Sequence, residues 1–342
     1  MYFLETQGTW FEIGEQTGKQ LREPIQANIK GRLKGYSENP EAYKTAIQRI
    51  HNDVQKIAPE LIDEIRGVAK GTDMSFEDVF AMRFSTTVQR RANPCCSVVY
   101  LTDSNVGPIM GRNNDGGLEE KPDTQMCQIV RPNNAPARIV TGYVGMQGCI
   151  GFNENGLCFG TSSAHTDESH SDDGLPASVH LHTALLKCHT VKQAAELLTG
   201  VPFFGKSCNA IAGDTNGESI LFEFVSGKPP IPTPRRTERD WQCCTNFFTS
   251  GKVSVKPEPG YLYNAYARYG RQLYQLNECP MPRTLDSLKA LMQDLAQPGD
   301  YLPEHRINLS TLYSQIFELN TRTMHVWPGH PAKVECRSLS LS

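Results

Sequence analysis

The chain reads as an α+β protein, because its texture changes once along its length. Residues 1–95 carry helical periodicity, whereas from Cys96 onward short β-like runs with turns alternate with helical patterns. A length of 342 residues is enough for a sizeable core, as one large domain or two small ones.

Taken in order, Tyr2-Phe3-Leu4 reads as a strand, and a helix follows from about Trp10 to Leu33, with glycines inside it that weaken the pattern. Ile50, Val54, Ile57, Leu61, Ile65 and Val68 recur at steps of three and four and make an apolar helical face, interrupted near Pro59. Met74-Ser75 followed by Asp78 and Val79 resembles a capping box with a hydrophobic staple, opening a helix through Met82 and Arg83 toward the cysteine pair. Beyond Cys96, residues 139–144, 148–152 and 157–160 read as strands, the last two joined by a turn at Asn153 to Gly156. Val179, Leu181, Leu185 and Leu186 mark a helix, and Thr190 with Gln193 caps another that ends at Gly200.

Residues 209–214 and 219–224 read as a hairpin, so strands precede and follow a helix pair, as when helices cover a sheet. The run from Gly227 to Arg236 has too many prolines for a central strand or a helix and reads as an exposed connection, a candidate substrate rim. Thr284 caps a short helix over Asp286 to Leu295, and Leu312 to Phe317 with Met324 to Trp327 make a closing hairpin.

The net charge of −3 gives no general reason to expect a nucleic-acid partner. No eighteen-residue apolar span exists, so no membrane crossing is expected, and residues 1–20 have neither the basic start nor the apolar core of a secretory signal. Eleven cysteines without disulfide-scaffold spacing predict a reducing, cytoplasmic setting. Cys95-Cys96 and Cys243-Cys244 are adjacent pairs, and His180 with His182 lacks a third ligand at standard spacing, so no metal site is expected.

The chemistry concentrates at Cys95-Cys96-Ser97-Val98-Val99-Tyr100 and Gly111-Arg112-Asn113-Asn114-Asp115, which read as strand, turn, strand around Asp103-Ser104-Asn105. Such a hairpin brings Cys96 near Arg112 and Asp115, and an adjacent arginine lowers a thiol pKa. The plain alternative is two buried cysteines on a core strand followed by a polar loop.

These residues resemble the start of the mature chain in the N-terminal-nucleophile hydrolases of the penicillin acyltransferase and bile-salt hydrolase group. Arg112 and Asp115 lie sixteen and nineteen residues after Cys96, nearly that group's spacing. Gly151 to Leu157 resembles its glycine-asparagine-glutamate turn, Thr245-Asn246 its threonine-asparagine pair, and Ala267 to Arg271 the segment bearing its second arginine. The resemblance implies a four-layer αββα fold, two antiparallel sheets with helices outside. It also implies that residues 1–95 are a helical prosegment, cut between Cys95 and Cys96 and retained on the catalytic region 96–342 as one integrated unit. The long prosegment makes the fungal acyl-coenzyme-A-dependent acyltransferases the nearer branch of the group.

The implied activity is a self-cleaving amidohydrolase acting on a small N-acyl or amide substrate through an acyl-cysteine, with no cofactor. Cys96 attacks the carbonyl, and its own α-amine, with a reference pKa of about 7.7–8.0, serves as base. By resemblance Asp115 orients the amine, Arg112 favours the thiolate and positions the acyl oxygen, Arg268 holds Asp115 and the nucleophile end together electrostatically, and Asn246 donates to the oxyanion. Each residue has a plain alternative in a salt bridge or a turn, and Arg271 lies close to Arg268. Asn153 and Ser163 are candidate oxyanion or substrate contacts. Ser163 stands where bile-salt hydrolases carry an asparagine, which weakens a bile-salt or penicillin V assignment. Transfer of the acyl group to an amine is one alternative, and a non-catalytic ligand-binding protein of the same fold is another.

Overall fold

A computed structural model of the chain describes residues 1–32, 40–89, 96–117, 122–146, 148–166, 174–254, 259–302 and 307–341. The chain opens with β1 (Tyr2–Gly8) and five helices: α1 (Trp10–Gln20), α2 (Arg22–Arg32), α3 (Pro40–Ile57), α4 (Pro59–Thr72) and α5 (Phe76–Gln89). The single helix expected from Trp10 to Leu33 is two, broken at the buried Leu21, whose backbone leaves the helical region at φ −119 and ψ 29. A capping box at Thr9 and Glu12 starts the first, with Thr9 N–H donating to Glu12 Oε2 at 2.8 Å. Pro59 takes the first position of α4, where its missing N–H costs nothing.

The glycines that weaken the helical pattern are its packing seam. A Cβ on Gly14 would lie 2.0 Å from the Glu64 carbonyl oxygen, and one on Gly67 2.0 Å from that of Phe11. Together with Gly18 and Gly71 one turn on, they let the backbones of α1 and α4 touch.

Next come β2 (Cys96–Leu101), β3 (Ile109–Gly117), β4 (Gln125–Pro132), β5 (Arg138–Tyr143), β6 (Ile150–Asn153) and β7 (Cys158–Ser163). After these lie β8 (Leu175–Pro176), α6 (Ala177–Lys187), α7 (Val191–Leu198), β9 (Phe203–Phe204), β10 (Cys208–Gly213), β11 (Ser219–Phe224), β12 (Ile231–Pro234) and β13 (Trp241–Cys244). The remainder is α8 (Pro259–Leu273), α9 (Leu285–Leu295), β14 (Pro298–Leu302), β15 (Ile307–Glu318), β16 (Thr323–Trp327) and β17 (Arg337–Ser340). The proline-rich run is therefore partly a strand: β12 borders one sheet, the position where missing N–H groups are tolerated.

Two large sheets form, in the orders β1-β4-β5-β6-β7-β10-β11-β12 and β13-β2-β3-β15-β16-β17. Their packing follows from the period-two alternation of side chains. Val98, Tyr100, Met110, Ile139, Ile211, Leu221 and Phe317 share one cluster between the sheets. Val140, Phe159, Ala210, Phe222 and Phe224 turn the other way, onto Trp10 and Ile13 of α1 and Leu181, Leu185 and Leu198 of α6 and α7. Val99, Leu101, Ile109 and Ile316 turn onto Leu288, Leu291, Met292 and Leu295 of α9. The layers are helices, sheet, sheet, helices, as the resemblance implied. Covered on both faces, β2 is buried at every position and so lacks polar alternation.

The described residues before Cys96 are built into these layers. β1 pairs in parallel with β4 from Tyr2 opposite Met126 to Gly8 opposite Pro132. Ile25, Val68 and Phe80 share a core cluster with Met126, Val144, Val179 and Phe204. No helix among the described residues is long and apolar enough to cross a membrane.

Candidate active site

The β2–β3 hairpin aligns Cys96 opposite Asn114 and Val98 opposite Arg112. The pleat puts alternate residues on one face, so Arg112 and Asn114 stand beside the Cys96 side chain. Its turn is held by Ser104, whose Oγ donates to the Gly107 carbonyl at 2.6 Å. Arg112 Nη2 donates to Cys96 Sγ at 3.1 Å and to Asn114 Oδ1 at 2.8 Å. The other Arg112 donors go to the Thr161 carbonyl at 2.9 Å and the Tyr313 hydroxyl at 3.0 Å, which locks the guanidinium against the thiol.

Asn246 follows β13, which pairs with β2. The preceding residue is pinned three ways: the Thr245 carbonyl accepts from Ser162 Oγ at 2.6 Å and Asn209 Nδ2 at 3.0 Å, and Thr245 Oγ1 donates to the Ala265 carbonyl at 3.0 Å. Asn246 Oδ1 accepts from Cys96 N–H at 3.0 Å and from Arg268 Nη2 at 2.7 Å. Since both neighbours are donors, only the oxygen can face them, and Nδ2 donates instead to Ser163 O at 2.9 Å and Ser163 Oγ at 3.2 Å. The amide hydrogens expected to meet an oxyanion are thus committed to Ser163.

Arg268 comes from α8 and is buried, its Nε donating to Asn264 Oδ1 at 2.7 Å. Its Nη1 donates to the Cys96 carbonyl at 2.8 Å and Ser97 Oγ at 3.0 Å. Arg271, the competing arginine, is exposed and donates to the Asp294 carbonyl at 3.1 Å, away from the cysteine. Asp115 Oδ1 accepts from Thr311 Oγ1 at 2.6 Å, while Oδ2 is buried without a hydrogen-bond partner among the described residues. Arg268 acts on Asp115 through its charge, with no hydrogen bond between them.

Burial decides the ionisation here. It pushes the Cys96 thiol above its ordinary range and Asp115 adds to this, while Arg112, Arg268 and the Asp115 N–H pull the other way without prevailing. Arg112 thus favours the thiolate in direction, but desolvation of the anion outweighs both cations. Burial also raises Asp115 to about 6 against the pull of Arg268, the Thr311 hydrogen bond and Arg112.

Cys96, Arg112, Asn114 and Ser163 line a cavity of about 190 Å³, with Met146, Ile150, Leu181, Phe203 and Phe204 as its apolar walls. Its charged lining residues are Arg112, Lys206 and Arg83, the last contributed by α5 from the segment before Cys96. Asn153 is elsewhere: Nδ2 donates to the carbonyls of Leu185 and Cys188 at 2.9 Å each and Oδ1 accepts from Leu157 N–H at 3.1 Å, so its side chain anchors a turn. The run 227–236 contributes nothing to the cavity lining, and Cys95 lies outside the described residues. No group of three or more metal-ligating side chains occurs among the described residues. Asn114, Tyr313, Thr311 and Arg83 are site residues that local patterns did not single out. In β15 Thr311, Tyr313 and Gln315 recur at every second position, but the polar Ser314 between them blurs any period-two signal.

The layers and the cysteine-centred network define an N-terminal-nucleophile hydrolase fold. Penicillin V acylase from Agrobacterium tumefaciens shares it at 14% identity and a TM-score of 0.50, over 72% of this chain and 86% of that one. A mutant conjugated bile acid hydrolase from Clostridium perfringens matches at 12% identity and a TM-score of 0.49, over 72% of this chain and 92% of that one. The family model of acyl-coenzyme A:6-aminopenicillanic acid acyl-transferase matches residues 101–333, a span that holds Arg112, Asp115, Asn246 and Arg268 and begins just after Cys96. The chain belongs to this family, and with it to the class of amide-hydrolysing and acyl-transferring enzymes.

Proposed function

We propose that the chain is a self-cleaving N-terminal-cysteine amidohydrolase that acts on small N-acyl compounds through an acyl-Cys96 intermediate. The observation that carries this reading is the triple hold on one residue. Cys96 offers its sulfur to Arg112 at 3.1 Å, its N–H to Asn246 at 3.0 Å and its carbonyl to Arg268 at 2.8 Å, beside a partly apolar cavity. A structural cysteine needs no such fixing of its backbone nitrogen.

Cleavage of the bond before Cys96 converts that nitrogen into an amine within reach of Asn246 Oδ1. The buried, unpartnered Asp115 Oδ2 is an acceptor for its added protons. The amine takes the thiol proton as Sγ bonds to the substrate carbonyl carbon, and returns it to the leaving amine as the C–N bond breaks. Water then attacks the thioester, the C–S bond breaks, and free acid and thiol result. The apolar walls fit an acyl chain.

The test is a panel of N-acyl amines, N-acyl amino acids and small β-lactam amides of graded chain length, quenched early and mapped by peptide mass spectrometry. The acyl group is expected on Cys96; acylation confined to Cys244 or Cys208 would overturn the assignment. Acyl transfer is the second reading, favoured by the family to which the chain belongs. Supplying amines alongside the donor separates the two. Hydrolysis predicts free acid as the main product, and Cys96-dependent amide formation that saturates with the amine would make the enzyme a transferase.

A further inference from the structure

We propose that Asn114 is a catalytic residue of this site, its Nδ2 hydrogens binding the substrate carbonyl oxygen as it becomes the oxyanion. The inference rests on the acyl-Cys96 reading above and adds a residue to it.

Two carboxamides lie beside Cys96, and they differ in what their NH2 groups do. That of Asn246 is committed to Ser163 O and Oγ. Asn114 Oδ1 accepts from Arg112 Nη2 at 2.8 Å and lies 3.6 Å from Cys96 Sγ, whose thiol hydrogen it can accept. Arginine has only donors, so Oδ1 must be the atom facing it, and Nδ2 is left buried with no acceptor among the described residues. Burying an amide donor unpaired is costly, and a site keeps such a group where a ligand supplies the acceptor.

The position suits that ligand. Asn114 lines the cavity and sits directly opposite Cys96 in the hairpin ladder. Its orientation is fixed in advance by Arg112, which withdraws charge from Oδ1 and thereby strengthens the N–H donors. When Sγ attacks, the C–S bond forms and the carbonyl π pair moves onto oxygen, where Nδ2–H meets it. When the intermediate collapses, the C–N bond breaks and the amine leaves with the proton held by the α-amine of Cys96. A donor already aimed at the developing charge stabilises the intermediate more than the bound substrate, so its removal acts on kcat more than on KM.

The experiment uses the processed protein with Asn114→Leu, close in shape, and Asn114→Asp, which keeps an oxygen for Arg112 but has no donor. Three quantities are measured: the rate of Cys96 acylation by an N-acyl amide, the preference for an oxo ester over its thiono counterpart, and alkylation of Cys96 by iodoacetamide. Alkylation develops no oxyanion and so reports the thiol alone. Both variants are expected to acylate roughly 10²- to 10³-fold more slowly, with KM little changed and the oxo preference lost. Alkylation of the Leu variant should stay within a few-fold of wild type. Acylation within tenfold of wild type in either variant, or an undiminished oxo preference, overturns the role of Asn114 and leaves the acyl-Cys96 reading standing. A wild-type protein that is alkylated at Cys96 yet acylated by nothing in the panel overturns both.

Discussion

At the scale of single residues, two buried acids set the conditions under which the site works. The Cys96 thiol is held neutral mainly by burial, so it needs a base, and the only candidate on the residue itself exists once the preceding bond is cut. Asp115, raised to about 6 from 3.8, makes a pH prediction with a definite sign. The folded protein holds this proton more tightly than the unfolded chain, so the carboxyl costs no stability below about pH 4. Stability is lost as pH rises through about 6, and the loss is constant above that. Replacing Asp115 by Asn removes the loss, so the variant's advantage in urea unfolding should grow between about pH 4 and 6 and then level off, while acylation of Cys96 falls. An advantage that shrinks with rising pH contradicts the assignment. Cys96, Arg112, Asp115, Asn246 and Arg268 were singled out by a resemblance to a family's ordered motifs, and the fold brings Arg112, Asn246 and Arg268 within hydrogen-bond distance of Cys96. Asn114 was not singled out, because only the hairpin register that sets it opposite Cys96, and the carboxamide direction set by Arg112, separate it from Asn113, whose Nδ2 donates to the Met292 carbonyl at 2.8 Å on the other face.

At the scale of elements, the α1–α4 seam and the exposed face of α8 respond to the same substitution with opposite signs. Gly67→Ala drives a Cβ to 2.0 Å from the Phe11 carbonyl oxygen and should lower stability by about 1–3 kcal/mol. Gly270→Ala, in α8 with nothing within 4 Å of the added carbon, should raise it by up to about 1 kcal/mol. Chemical unfolding of the pair checks both, and equal effects would deny the close approach of α1 to α4. The same elements show why local reading stops where it does. Helix α8 escaped it because two of the inward positions at its three- and four-residue steps, Leu262, Ala265, Arg268 and Gln272, are polar. They are polar because they serve the Cys96 strand, Arg268 at the Cys96 carbonyl and Gln272 Nε2 at the Val98 carbonyl, 3.5 Å away. In contrast, the Thr190 cap and the hairpin 209–224 depend on neighbours a few residues apart, and both were readable.

At the scale of the whole molecule, the described residues before Cys96 are part of the sheet, the core and the cavity wall. The parallel pairing of β1 with β4 spans more than a hundred residues, so no local pattern could reveal it. It predicts that cleavage leaves the two pieces together: a processed sample should elute as one species under native conditions and separate only in denaturant. Spontaneous separation in ordinary buffer would contradict this packing. Since Arg83 lines the cavity from α5, residues 96–342 refolded without the first segment should fail to acylate Cys96. All of this turns on the cut itself. The most direct measurement is intact mass with amino-terminal sequencing of the purified protein and of a Cys96→Ala variant. The account predicts fragments of 95 and 247 residues, the larger beginning Cys96-Ser97, and a variant that remains whole. A new terminus at Cys95, or normal cleavage of the variant, would contradict it.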